Sequence, residues 1–179
     1  IISKKNASKI SDVTGGWYSE MTDSTHLLTI LQGTYTGLSV LKKEDNKWKF
    51  SHKLEGYNEP VKKFISYKSG EIWVTGPNTG LSRLKVDKEL KHIHQIYKYG
   101  SKDKIMDNAN VDINYVNHKM LINDGQSHYY YDETGDTFIR DSFLNSFSPG
   151  YLIRIVDEQT WCRVYSDSLV IMRDSTALQ

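Results

Sequence analysis

Two histidines separated by one residue, His92 and His94, are the chain's clearest candidates for metal ligands. Alternate residues of a strand point to the same face of the sheet, so both imidazoles would lie on one side. A zinc site needs three or four such ligands, and the sequence offers no identifiable third. The pattern therefore favours a solvent-exposed edge strand, and no metal site is predicted.

Polar residues alternate along a later stretch in a way that is typical of calcium loops: Asn108, Asn110, Asp112 and Asn114. An EF-hand loop also needs a glycine at its sharp turn and a closing glutamate. Both are absent here, and the alternation continues into a predicted strand. We interpret these residues as polar side chains on the protein surface. The acidic run at 132–136 and the polar run at 44–46 are interpreted as hairpin turns, because Asp, Asn and Gly favour turns.

The sequence contains no recognisable catalytic nucleophile. Cys162 is the only cysteine, so no internal disulfide can form, and its position between Trp161 and Arg163 favours a packing role in a strand. No Ser/His/Asp order, phosphate loop or zinc spacing is present. We therefore predict no catalytic residue and no cofactor. A carboxylate pair for glycoside chemistry remains an open alternative, because such pairs are assembled across strands.

Aromatic side chains near predicted loops are the remaining candidates for ligand binding. Trp17, Tyr35 and Tyr57 lie in or near such loops. Aromatic residues also dominate protein cores, so burial is the favoured role for any one of them. The individual ligand-binding residues are therefore unknown from the sequence alone.

The elements that would position these residues are repeated along the chain. Residues 36–39 and 79–82 both read Thr-Gly-Leu-Ser, and the offset of 43 residues also carries Gly33 onto Gly76. Trp161 follows Trp73 after 88 residues, about twice that period. A period in the low forties made of strands and turns is typical of propeller blades. A generic β-meander with chance similarity is the alternative.

Such a repeat has a physical cause, because a small sheet has two apolar faces and must bury both against neighbouring sheets. The residues predicted to fill the spaces between sheets are Ile72, Val74, Leu81 and Leu84. Trp73 and Trp161 are predicted to be buried at equivalent places. Glycines at the strand ends are expected because they tolerate positive φ and close backbone approach.

The pattern predicts an all-β fold of β-propeller blades, about four four-stranded antiparallel meanders in one fragment covering residues 1–179. The predicted blades are 17–56, 63–98, 111–140 and 151–173, and residues 1–16 could add a strand of a preceding blade. The fourth blade lacks its last strand, so we expect an arc of a larger propeller. The last strand of the second blade is predicted at 90–97. Helix is expected only near 100–110 and 141–150.

An incomplete arc would leave its terminal sheet faces uncovered. The apolar residues predicted at those faces are Trp17, Tyr18, Ile153, Ile155, Val170 and Met172. Exposed apolar patches favour association. We therefore expect further blades of a parent protein, or a homodimer, to cover them.

Composition excludes several classes of function. The formal net charge is +1, so there is no electrostatic footprint for nucleic acid. No apolar run approaches the roughly 20 residues that span a bilayer. Aromatic residues make up 12% of the chain, which favours strands.

The run at 33–39, followed by Trp48-Lys49-Phe50, resembles the two-component regulator propeller repeats of bacterial sensor-regulators. The stretch at 70–74 followed by 79–84 resembles the same repeats, and Tyr129-Tyr130-Tyr131-Asp132 with Phe138 resembles the next blade. The resemblance covers about residues 17–173. It implies a periplasmic propeller of a membrane-bound protein, followed by a β-sandwich module, a membrane span and an output domain.

The resemblance implies an extracytoplasmic ligand-sensing region of a bacterial signal-transduction and transcription regulator, and not an enzyme. Its expected partners are a small-molecule or oligosaccharide ligand, the remaining propeller blades and the β-sandwich module, with no nucleic acid bound by this region. Two alternatives stay open: a propeller-scaffold enzyme acting on carbohydrate, either a glycosidase or a lyase, and an interaction scaffold that senses nothing.

Overall fold

A computed structural model describes residues 15–22, 29–105, 107, 110–116, 118–146, 152–155, 160–164 and 169–173. Within these residues the chain is all-β, and helix is confined to a 3-10 turn, Ser101–Asp103, and a short helix α1, Ser142–Asn145. Both lie in the two linkers where the sequence predicts helix. The predicted all-β fold of blade-like antiparallel sheets is confirmed. That the sheets belong to one propeller stays a prediction.

The first two sheets follow the predicted blades closely, with neighbouring strands adjacent in the chain. The first sheet contains β1 Tyr18–Met21, β2 Thr29–Thr34, β3 Gly37–Glu44 and β4 Lys47–Lys53. The second contains β5 Lys63–Lys68, β6 Glu71–Gly76, β7 Gly80–Val86 and β8 Ile93–Tyr99.

The later sheets have the same meander order. The third contains β9 Asp112–Val116, β10 Lys119–Asn123, β11 His128–Asp132 and β12 Thr137–Arg140. The fourth contains three strands among the described residues: β13 Leu152–Ile155, β14 Thr160–Val164 and β15 Leu169–Arg173.

The largest difference from the predicted strands is at β8, which begins at Ile93 and not at Leu90. Asp87 explains the delay, because its carboxylate accepts hydrogen bonds from the backbone N–H groups of Lys91 at 2.8 Å and His92 at 2.9 Å. Leu90 has a φ of 56°, which is incompatible with a strand. The segment is therefore a closed turn up to His92.

The turn between β2 and β3 contains two residues, Tyr35 and Thr36. The Thr34 hydroxyl donates to the Gly37 carbonyl at 2.9 Å and accepts from the Thr36 N–H at 3.2 Å. Gly37 has a φ of 100°, where an L side chain is strained. The predicted polar hairpin between β3 and β4 is likewise tight, because Asp45 and Asn46 both take positive φ.

Glycine also allows the connection that follows β4 to lie directly on the first sheet. A Cβ atom on Gly33 would stand 2.5 Å from the Val61 carbonyl oxygen, and one on Gly37 would stand 2.2 Å from that of Tyr57. The Val61 N–H donates to the Thr34 carbonyl at 2.8 Å. Gly33 is therefore required by close approach, and Gly37 by both approach and conformation.

The described chain divides into two compact units, residues 1–74 with 83–97 and residues 75–82 with 98–179. The core of the first unit lies between the first and second sheets. It consists of Leu31, Leu38, Val40, Leu54, Tyr57, Val61, Phe64, Ile72, Val74, Leu84 and Val86. Leu81 is buried outside this cluster. The four apolar residues that the repeat predicts to be buried are therefore all buried.

Trp73 lies between Ile72 and Val74 on β6, so its side chain occupies the opposite face of the second sheet. It is completely buried. The Arg83 guanidinium lies 5.4 Å from the Trp73 ring centroid and 4.5 Å from that of Tyr97, which is cation–π geometry. Trp161 occupies β14, the second strand of its sheet, as Trp73 does. Its side chain lies outside the described residues.

A tyrosine pair holds the turn at 132–136 in the second unit. Tyr131 and Tyr99 both donate to Oδ1 of Asp136, at 2.6 Å and 3.3 Å. Asp132 accepts the backbone N–H groups of Thr134 and Gly135. The acidic run is therefore the hairpin turn that the sequence predicts.

Of the two residues predicted on the uncovered N-terminal face, only one is exposed. Trp17 is exposed, but Tyr18 packs edge-on against Phe64, with ring centroids 5.1 Å apart. Tyr18 therefore lies against the core of the first unit and not on an open face. The side chains of the four residues predicted at the other terminal face lie outside the described residues: Ile153, Ile155, Val170 and Met172.

Replacing Trp73 by alanine should cost about 3–5 kcal/mol of unfolding free energy, the range for truncating a buried tryptophan. Urea denaturation followed by circular dichroism would measure it. Trp48→Ala is the matched control, because Trp48 is only half-buried on β4, and it should cost clearly less. Equal costs for the two variants would contradict the packing role of Trp73.

Three glycine-to-alanine variants distinguish the stability cost of a strained backbone conformation from the cost of a steric clash with the added Cβ atom. Gly125 has a φ of 90° and nothing within 4 Å of an added Cβ, so Gly125→Ala should cost only about 1–2 kcal/mol for its left-handed backbone. Gly33→Ala meets only the clash with Val61. Gly37→Ala meets clash and strain together and should be the most destabilised in thermal melts. If Gly37→Ala matched Gly125→Ala, the contact with Tyr57 would not limit substitution.

Candidate functional site

The most prominent exposed aromatic contact lies at the β2–β3 turn of the first unit. The Trp17 and Tyr35 rings have centroids 4.2 Å apart, and their planes meet at 68°. Trp17 is 36% exposed and Tyr35 47% exposed. Two of the three aromatic candidates from the sequence are thus brought together. Because the ring planes meet at an angle, the pair forms an open corner that we call the aromatic corner.

Local sequence fixes the position of both rings. The Trp17 N–H donates to the Gly33 carbonyl at 3.0 Å, which extends the pairing of β1 with β2 by one residue. A Cβ atom on Gly15 would lie 2.0 Å from the Tyr35 ring. Gly15 also has a φ of 72°. The Tyr35 ring can therefore lie over the chain only because residue 15 has no side chain.

Hydrogen-bonding groups flank the aromatic corner on both sides. Gln32 donates from Nε2 to the Ser19 hydroxyl at 3.3 Å on an exposed part of β1 and β2. On the other side, Lys53 donates from its ammonium to the Thr36 hydroxyl. Amide, hydroxyl and ammonium groups beside exposed rings can orient a polar ligand whose apolar face packs on the rings.

The third aromatic candidate, Tyr57, has a different role. It is buried and belongs to the core between the first two sheets. Its hydroxyl donates to Oε2 of Glu59 at 3.4 Å, and its carbonyl is the group that approaches Gly37. Tyr57 therefore supports the turn that carries Tyr35 and does not take part in the exposed corner.

The strand beside the aromatic corner carries two perturbed ionisable groups. Burial raises the pKa of the Glu20 carboxyl above its ordinary value. Burial also raises the pKa of the Tyr18 phenol, and the nearby Glu20 charge raises it further. The main cause of both shifts is burial, which removes water from the two side chains of β1 and disfavours their charged forms.

The histidine pair does not form a metal site within the part of the chain that is described. His92 donates from Nδ1 to Oε2 of Glu55 at 3.0 Å, and both side chains are largely exposed. His94 is exposed on β8. The Glu55–His92 contact connects the segment after β4 with the start of β8, where the two residues also form a backbone bridge.

The alternating polar residues also serve local structure where they are described. Asn114 donates from Nδ2 to Oδ2 of Asp112 at 3.1 Å on β9, and Asn110 is exposed. Asn108 lies outside the described residues. Cys162 is a half-buried free thiol on β14.

No protein-family profile and no curated protein matches the sequence. One similar solved structure is the extracellular domain of BT3049, named as a hybrid two-component system of B. thetaiotaomicron. The likeness has a TM-score of 0.59 at 14% identity and covers 88% of this chain. The matched region is 20% of the BT3049 chain. At this identity the likeness shows a shared fold. Among the described residues, no helix has the length and hydropathy required to cross a membrane.

The raised pKa of Glu20 predicts a pH-dependent effect of Glu20→Gln. Above the folded-state pKa, folding buries a charged carboxylate that the unfolded chain keeps in water, so the variant should be more stable than the parent. Below the unfolded value of about 4.3 the carboxyl is neutral in both states, and the gain should vanish. Thermal melts at pH 8 and pH 4 would compare the two.

The control for this test is Glu44→Gln, because Glu44 is exposed and pairs with Lys49 at 3.0 Å. Removing that surface ion pair should lower stability slightly at pH 8, by about 0–1 kcal/mol. A loss of stability at pH 8 in Glu20→Gln would contradict the burial of an unfavourable charge on β1.

Proposed function

We propose that this chain is part of the extracytoplasmic ligand-sensing region of a membrane-bound bacterial signal-transduction protein. The fold likeness to the extracellular domain of BT3049 supports an extracellular sensor region, and the resemblance of the repeats supports the same class of protein. The compartment that this proposal implies is the periplasm, and the implied output is transcription regulation.

The observation that carries the proposal is the aromatic corner. Trp17 and Tyr35 expose large apolar surfaces beside donors and acceptors, at a turn whose backbone is held by Thr34 and Gly37. A preorganised aromatic surface loses little entropy on binding. The ligand we propose for it is a small molecule or an oligosaccharide, because a sugar offers an apolar ring face surrounded by hydroxyls.

The role we propose for this chain is binding and not catalysis. Signalling would require the ligand to bind one packing arrangement of the parent protein better than another. The partners proposed for that step are further propeller blades, a β-sandwich module and a second copy of the protein, with no nucleic acid bound by this region. Release of products from an oligosaccharide panel, abolished by changing one Asp or Glu, would favour the glycosidase or lyase alternative.

The test is binding of an oligosaccharide panel to the chain and to its Trp17→Ala and Tyr35→Ala variants, by isothermal titration calorimetry. Each variant should weaken binding at least about tenfold, since central aromatic residues commonly contribute about 2 kcal/mol. Phe50→Ala is the matched control, because Phe50 is 38% exposed on β4 of the same sheet. Unchanged affinity in both corner variants would refute the proposed site.

A further inference from the structure

A second concave surface lies at the opposite end of the first sheet from the aromatic corner. It is an open groove of about 850 Å³ between the start of β2 and the end of β3 at one side and the β5–β6 and β7–β8 turns at the other. Its lining includes Thr29, whereas the aromatic corner lies beyond Thr34 at the other end of β2. Five strand steps separate these ends by about 17 Å.

The bottom of this groove is apolar. Ile72 and Val86 are buried core residues whose surfaces also line the groove, and Leu90 packs beside them. Leu90 is held by the β7–β8 turn, where its carbonyl accepts from Nε2 of His52 at 2.9 Å. The turn that shapes one wall is thus fixed from both sides, by Asp87 within it and by His52 from β4.

The rim of the groove is rich in cations. Lys42, Lys68, Lys88 and Lys91 line it, and all four are exposed. Within the described part of the chain, the ammonium groups of Lys42, Lys88 and Lys91 make no ion pair or hydrogen bond. Lys68 lies over the Tyr67 ring, 5.5 Å from its centroid.

The rim has three acidic residues against four lysines, and some of these carboxylates accept hydrogen bonds from the protein. Glu71 accepts from the Trp73 indole N–H at 3.0 Å. For Asp87, burial opposes ionisation, but hydrogen bonds from the backbone N–H groups of Lys91 and His92 prevail and lower its pKa. Glu89 is the third carboxylate of the lining. Four ammonium groups therefore lie around an apolar surface, and two of the three nearby carboxylates accept hydrogen bonds from the protein itself.

From this arrangement we propose that the groove binds a small organic anion with an apolar body, such as an aromatic or aliphatic acid. The apolar body would cover Ile72, Val86 and Leu90, and the anionic group would lie among the lysine ammoniums. The volume suits a single small molecule, because ligand pockets commonly measure about 300–1,000 Å³. The site is independent of the aromatic corner and stands whether or not the proposed sensing function holds.

The experiment uses two dyes that differ in the anionic group. 8-Anilinonaphthalene-1-sulfonate carries a sulfonate, and N-phenyl-1-naphthylamine is its uncharged analogue. Fluorescence titration of the folded chain should give at least about tenfold tighter binding for the sulfonate, because a charge-assisted contact adds to the same apolar burial. Equal affinities would overturn the proposal, since the lysines would then contribute nothing.

Variants locate the binding. Lys42→Gln combined with Lys91→Gln should weaken sulfonate binding about tenfold and leave the uncharged dye unchanged, because only the charged contacts are lost. Lys62→Gln is the control, because Lys62 is exposed beside the opposite end of β5 and lies outside the groove. Amide chemical-shift changes on adding the sulfonate should centre on Gly70 and Leu90. Shifts centred on Trp17 and Tyr35, or no effect of the double variant, would refute the groove as the site.

Discussion

The first and second sheets each have an apolar face that cannot remain in water without a large loss of hydrophobic stabilisation. In the first unit this constraint is met by packing the first sheet against the second through one continuous apolar core. That packing brings the segment after β4 against the ends of β2 and β3, where only glycine fits at positions 33 and 37. The approach of this segment to the first sheet is therefore limited by backbone contacts as well as by the volume of the side chains.

The same constraint decides which residues are available for function. Burying Tyr57 beneath the β2–β3 turn supports the turn from below, so Tyr35 lies at its exposed tip beside Trp17. At the opposite end of these strands, the turn closed by Asp87 leaves Leu90 beside the core residues Ile72 and Val86. One packed pair of sheets thus presents aromatic rings at one end and an apolar groove with a cationic rim at the other.

The second face of the second sheet shows how a charged residue can be accommodated in a buried position beside aromatic rings. Arg83 is buried on β7, where the Trp73 and Tyr97 rings contact its guanidinium. Arginine tolerates this environment because its charge is delocalised and weakly hydrated, and lysine would not. In the sequence, Arg83 comes immediately after the repeated Leu-Ser motif. Its role, however, depends on stacking with Trp73 and Tyr97, which lie on the two neighbouring strands β6 and β8.

The sequence by itself determined the strand pattern, because apolar alternation and turn residues are local signals. It predicted the all-β meanders, the helical positions in both linkers, the burial of Trp73 and the hairpins at 45–46 and 132–136. The start of β8 was wrong by three residues, because the backbone hydrogen bonds to Asp87 compete with strand pairing. Only the tertiary structure separated Tyr57 from Tyr35, since both are aromatic residues in loop-like sequence and their burial depends on a neighbouring sheet. The lysine-rimmed groove had no sequence signal, because its residues come from five separate segments and are brought together by the packing of two sheets.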